Sequence, residues 1–300
     1  MIFESLPILA SIISTFSRAG LNVVDRRQYQ QEKSCPLLVG YWNNLLPVLL
    51  ILPLIFFTPA FDNFLDDFLA VDLVFMSILI QCVAYSFSFA FKHLRVTDVA
   101  VLSKAADVTV PIALAFLGFY AMSYMPFLFL STILVLFIFS TGFDVFKKAY
   151  KSAIVLVLML TTQGVYAYFF GLNASLNKGF WSLLSAAFSV LAWRFIFSGF
   201  FLIYRRNFAL VCFFPKEFLS RSEFYFRGFL TLLTQVTFIY AITAKNLMIV
   251  WPILNATGFL GAVFAYLFLG EKFRPKDVFF ISFSFLISGL IVVIFNHEYS

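Results

Sequence analysis

Ten stretches of about 20 predominantly apolar residues follow one another along the chain, the length that one helical crossing of a bilayer core requires. They lie near 5–24, 37–57, 69–91, 98–118, 124–143, 151–172, 181–204, 224–244, 247–269 and 277–295. Within hydrocarbon every backbone N–H and C=O must find its partner inside the protein, which leaves helices for segments of this length. The predicted fold class is all-α: a polytopic membrane protein of ten transmembrane helices. Composition agrees, since 62% of the 300 residues are hydrophobic and only 12% are charged. A soluble domain carries about 25% charged residues and needs them to cover its surface.

The loops test the count. Basic residues collect on the cytoplasmic side of a membrane protein. The odd-numbered loops hold 16 Lys and Arg, the even-numbered loops only Lys178 and Lys245, and the second loop is acidic, with Asp62, Asp66 and Asp67. Dropping the fourth segment scrambles this asymmetry, so the fourth is expected to cross although it contains Lys104 and Asp107. Both termini are then expected on the non-cytoplasmic side. The N-terminus lacks the basic region of a cleavable signal, because Glu4 is the sole charge before Arg18. A bacterial inner membrane is the expected location.

The two halves resemble each other. Gly20–Asn22 recurs as Gly171–Asn173, and Tyr41–Asn44 aligns with Ala192–Phe195. Lys92–Leu94 aligns with Lys245–Leu247, and Ala115–Gly118 with Leu267–Gly270. The offset stays between 151 and 153. Five spans per copy is an odd number, so the second copy would enter from the opposite side. Residues 1–147 and 148–300 are expected to be two inverted five-helix repeats, an architecture that places a binding site near the midplane where the halves meet.

At this level the chain resembles the drug/metabolite transporter superfamily, of the ten-helix EamA type. The residues that carry the resemblance are FAYLFLGEKF at Phe264–Phe273 and ISGLIVVIF at Ile287–Phe295. AFKHL at the end of the third span, WRF at Trp193–Phe195 and SRAGLNVVDR at Ser17–Arg26 add to it. The resemblance implies a central cavity lined by the first, third, fourth, sixth, eighth and ninth spans. It implies peripheral fifth and tenth spans, and either a monomer or a homodimer.

Charge inside a span is the strongest pointer to function. A charged side chain near the bilayer centre costs about 2.5–3.5 kcal/mol even on the lenient insertion scale. Lys104 and Asp107 lie three residues apart and share a helix face. Asp107 stands about nine residues, roughly 14 Å, from the segment's end. Three readings stay open: a mutually neutralising pair, a lysine that binds an anionic substrate group beside a positioning aspartate, or an aspartate that titrates. Lys104 could also snorkel toward the cytoplasm. Phosphate-carrying relatives within the resembled superfamily place a lysine in the fourth span. Arg194, mid-way along the seventh span, cannot shed its charge; it reads as an interhelical clamp or a substrate contact. Arg18, nearer an end, reads as interfacial. Asn22, Gln81, Tyr85, Gln163, Tyr166, Gln235, Tyr240, Trp251 and Asn255 outline a polar path, each with helix–helix hydrogen bonding as the plainer role.

These features point to a secondary transporter that moves a small organic metabolite by alternating access. The metabolite class stays open among amino acids, nucleotide-related compounds and others, anionic ones included. The expected partners are that small molecule, the lipid bilayer and a counter-substrate or proton, with no nucleic acid. No cofactor or metal is expected: the three cysteines and two histidines match no ligand spacing, and no Walker motif is present. The alternatives are an intramembrane lipid-modifying enzyme and a non-transporting membrane scaffold. Neither finds its usual signature, a His/Asp/Glu cluster at one face or a soluble domain.

Overall fold

The computed structural model describes residues 2–30, 36–118, 124–174, 179–206, 222–243, 250, 253–254, 256–272, 274–279, 281–283 and 286. No strand occurs among them. The helices are α1 (Ile2–Gln30), α2 (Pro36–Phe56), α3 (Phe61–Leu69), α4 (Val71–His93), α5 (Val96–Ser103), α6 (Ala106–Phe116), α7 (Tyr124–Ala174), α8 (Phe180–Arg206), α9 (Ser222–Ile242) and α10 (Thr257–Leu269). Among the described residues six segments are long and apolar enough to cross a membrane: Leu6–Tyr29, Pro36–Phe56, Val71–His93, Ala149–Phe170, Phe180–Tyr204 and Ser222–Ile242. The fold is that of a polytopic helical membrane protein. Large apolar side chains such as Phe57, Leu69, Phe75, Leu158 and Phe200 face outward, where lipid would meet them.

Three features depart from the sequence reading. The acidic second loop is not a simple turn: Phe61–Leu69 forms α3, which lies along α8 with Phe68 stacked on Trp193 at 4.9 Å. The indole N–H of Trp193 donates to the Phe68 carbonyl at 2.7 Å. The fifth and sixth predicted spans are joined in one unbroken helical run, α7. A straight helix would hold Tyr124 about 55 Å from Thr161. Thr109 of α6 touches Thr161, and the short connection from α6 cannot reach so far. The run is therefore not straight. The tenth predicted span lies mostly outside the described residues.

The fourth predicted span is split in two. The Lys104 N–H reaches both the Ala100 and Val101 carbonyls, at 3.3 and 3.2 Å, and the Ala105 N–H bonds Leu102 at 3.1 Å. The tightened turn ends α5, and α6 restarts with the Thr109 N–H on the Ala105 carbonyl at 3.0 Å. The ninth span repeats the pattern: the Ala256 N–H bonds Ile253 at 3.1 Å, and the Leu260 N–H bonds Ala256 at 3.0 Å. Both spans also end on a glycine with positive φ, Gly118 at 82° and Gly270 at 65°. A side chain disfavours that conformation, and glycine there closes a helix by the left-handed cap.

Among the described residues two apolar cores lie toward opposite ends, with smaller clusters around Phe188 and Val110. One contains Val23, Phe91, Leu94, Val99, Ala153, Leu156 and Ala262. It lies at the end where α1, α4 and α10 finish and α5 begins, and it is called the basic end below. The other contains Ala10, Leu73, Met76, Phe170, Ala186, Ile239 and Leu254, at the opposite end. Small hydroxyl residues let α1 approach its neighbours. Thr15 donates to the Ile253 carbonyl at 2.7 Å, and Thr234 of α9 donates to Ser17 at 2.8 Å.

Candidate functional site

Between the two cores lies a cavity of about 160 Å³. Its walls come from α1, α4, α5, α6, α7, α8, α9 and α10, with Leu254 from the ninth span. At its floor α5 and α10 run antiparallel. A Cβ on Gly258 would meet the Ala100 carbonyl at 3.2 Å, and one on Gly261 would meet Asn22 Nδ2 at 3.2 Å and Val96 Cγ1 at 3.8 Å. Ser103 and Ala106, flanking one helix break, and Thr257 and Gly258, just beyond the other, all line the cavity.

The ionisable residues in the lining are Arg18, Asp25, Arg194 and Arg227. Asp25 and Arg227 form a buried bidentate pair, Nε to Oδ1 at 2.6 Å and Nη2 to Oδ2 at 3.2 Å. The third donor of Arg227, Nη1, reaches Thr231 at 3.0 Å. Arg194 is held by neutral amides instead. Its Nε donates to Gln81 Oε1 at 3.3 Å and its Nη1 to Gln235 Oε1 at 3.1 Å, while Asn44 also donates to Gln81 at 2.9 Å. Arg18 stacks its guanidinium over Phe238, 4.3 Å from the ring centroid. Stacking uses the face of the ion and leaves the in-plane N–H groups for another partner. No carboxylate among the described residues pairs with Arg18 or Arg194.

The expected polar path is only partly assembled here. Asn22, Gln163, Arg194 and Gln235 line the cavity, and Gln81 sits behind it as the partner of Arg194. Tyr85 packs against Gly40 and edge-on against Phe201 at 5.8 Å, away from the lining. Tyr166 and Tyr240 pack against the core at the opposite end, and Tyr166 donates to the Asp72 carbonyl at 3.1 Å. Lys104 is 1% exposed at the helix break and outside the lining; it does not snorkel. The side chain of Asp107, and Trp251 and Asn255, lie outside the described residues. Arg194 is a clamp, but to amides rather than to a carboxylate or backbone carbonyls. Arg18 is not interfacial. Arg227, one of the 16 basic residues assigned to the odd-numbered loops, belongs to α9 and to the cavity wall.

A second charged group closes the basic end. Arg95 forks onto Asp98 at 2.9 and 3.0 Å and donates to the Lys272 carbonyl at 3.1 Å. Arg274 reaches Asp98 at 2.7 Å and also pairs with Asp277. Glu271, just past the left-handed Gly270, accepts the Val96 N–H at 3.0 Å and lies 3.6 Å from Arg26. Arg26 also donates to the Phe91 carbonyl. The carboxylate thus caps the first turn of α5 from another helix. Burial pushes the Glu271 carboxyl above its ordinary value, against the opposing pull of Arg26 and of the Thr97 and Val96 amides. Asp98 holds the Arg95 guanidinium above its usual value by hydrogen bonding. Arg27 and Glu223 add a pair at 2.9 Å between α1 and α9. These contacts bring the first, third, seventh and ninth loops to one end of the molecule.

No family model matches the chain, and no curated protein matches it significantly. Fold and site together define an integral membrane protein of packed apolar helices around a central cavity that bears charge.

Proposed function

We propose that the chain is a secondary transporter that moves a small organic metabolite across a membrane by alternating access. The observation that carries this reading is the cavity itself, set between two apolar cores where two interrupted helices cross. Interrupted spans at corresponding places in two halves are the usual surroundings of a transporter's substrate. The matched turns at Ala105 and Ala256 and the matched glycines Gly118 and Gly270 support two inverted repeats, 1–147 and 148–300. Ten spans, kinship with the EamA-type drug/metabolite transporters, and termini outside a bacterial inner membrane belong to the same proposal. So do exchange against a counter-substrate or proton, no chemistry on the substrate, and a monomeric or homodimeric state.

Flux tests it. Purified protein is reconstituted into liposomes loaded with a mixed metabolite extract, and efflux is followed by mass spectrometry against protein-free liposomes. Saturable release of one metabolite class is expected. Conversion of lipid to a new product without solute release supports the enzyme reading and overturns this one; neither release nor conversion overturns it as well.

A further inference from the structure

Among the described residues the cavity's charges do not balance: three guanidinium groups line it and one carboxylate answers them, already engaged in both hydrogen bonds to Arg227. Arginine keeps its charge in proteins. Arg18 and Arg194 therefore present two positive charges in a buried setting, within electrostatic reach of each other. Holding like charges together away from bulk water is unfavourable, and a neutral amide offsets it far less than an anion does. Gln235 adds a donor: it spends its oxygen on Arg194, which leaves its buried NH₂ group with no acceptor among the described residues. The Ser103 hydroxyl donates to the Ala100 carbonyl of its own helix, and the Thr257 hydroxyl to the Leu254 carbonyl on the other side of the break. Asn22 and Gln163 add lining amides that can donate or accept, so the imbalance of the site lies in its positive charge. Leu21, Ile80, Phe87 and Leu160 supply apolar lining.

We propose that this cavity binds a small organic anion, its carboxylate or phosphate group held by Arg18, Arg194 and the Gln235 amide and its carbon body set against the apolar lining. The Asp25–Arg227 pair is self-compensated and bounds the site without repelling the anion. This deepens the transporter reading and rests on it for how the anion reaches and leaves the cavity. Stacking on Phe238 fixes the plane of Arg18, so its N–H edge is preorganised and no long side chain has to be ordered on binding.

The test is a binding assay on the purified full-length protein in nanodiscs. The probes are inorganic phosphate, succinate, glutamate, glucose and putrescine, each at millimolar concentration. The variants are Arg18→Gln, Arg18→Lys, the double variant Arg18→Gln/Arg194→Gln, and Arg27→Gln as a control outside the cavity. At least one oxyanion is expected to bind wild type and Arg27→Gln alike. Arg18→Gln weakens that binding by roughly tenfold or more, Arg18→Lys by less, and the double variant abolishes it. Ligand-free Arg18→Gln is expected to melt no lower than wild type, because an uncompensated charge has been removed; a purely structural arginine would lower the melting point. Preferential binding of glucose or putrescine, binding by none of the oxyanions, or anion binding indifferent to Arg18 overturns the inference. Flux assays keep the two proposals apart. An anion that binds through Arg18 but never crosses the liposome sinks the transporter reading alone. Saturable flux of a neutral or cationic solute sinks the anion site alone.

Discussion

At the scale of single residues, the cavity shows how the same ion is stabilised in three ways. Arg227 has a carboxylate, Arg194 has two amide oxygens and Arg18 has an aromatic face. These are not equivalent under substitution. Asp25 is almost wholly buried against Arg227, so Asp25→Ala leaves a charge without its partner; the expected loss is about 3–5 kcal/mol. Replacing both members, as Asp25→Leu with Arg227→Met, is expected to restore most of that stability. Equilibrium unfolding in detergent checks the pair, and a double variant as unstable as Asp25→Ala refutes the account. The sequence pointed to Arg194, Gln235, Asn22 and Gln163 because polarity inside an apolar span is conspicuous. It concealed Arg18, Asp25 and Arg227 for the opposite reason. Each lies close enough to a predicted span end to be read as an interfacial or loop charge, and the rule that places basic residues in cytoplasmic loops absorbs them. The missing signal was their opposite sign: an acid near the end of one span and a base near the start of another can meet across a bundle.

At the scale of helices, the long uninterrupted ones were legible. The predicted segments 37–57, 69–91, 181–204 and 224–244 lie within about two residues of α2, α4, α8 and α9 at each end. Hydropathy counts apolar residues, however, and does not see the backbone. Neither break carries a glycine or proline at the turn itself, so Lys104–Ala105 and Ala256 give no local warning. The contact of α5 with α10 depends on Glu271, whose carboxyl is raised above 4.5 by burial. A carboxyl raised in the folded state binds its proton more tightly there than in the unfolded chain. Its contribution to stability is thus present below the unfolded pKa and lost as pH rises through the folded one. Glu271→Gln keeps an acceptor for the Val96 N–H but cannot titrate. The melting temperature of wild type minus that of Glu271→Gln is expected to fall as pH rises from about 4.5 through the acid range. A difference that grows with pH means that Arg26 outweighs burial.

At the scale of the whole molecule, the ion pairs gather several basic residues at one end. Arg27, Arg95 and Lys272 lie at one end, and the turn after α2 at Phe57 lies at the other. In a chain freed of its three cysteines, Arg27→Cys and Lys272→Cys are expected to resist a membrane-impermeant maleimide added to intact cells. Phe57→Cys is expected to react. Labelling of Lys272→Cys and Phe57→Cys from the same side refutes the arrangement, whatever the absolute orientation. The charge asymmetry of the loops was enough to predict this much, because it is a property of the whole chain. The continuity of α7 was not legible, since Lys147, Lys148 and Lys151 between the fifth and sixth predicted spans read as a loop rather than as helix.

The two apolar cores have a consequence for leakage. Each is apolar, and among the described residues the charged cavity lies between them. If the chain transports as proposed, these are seals in series and would behave as a lock chamber does: one would part while the other still blocks water and ions. The membrane's electrical resistance would then survive as long as the two never part together, and a solute would reach the centre without a current.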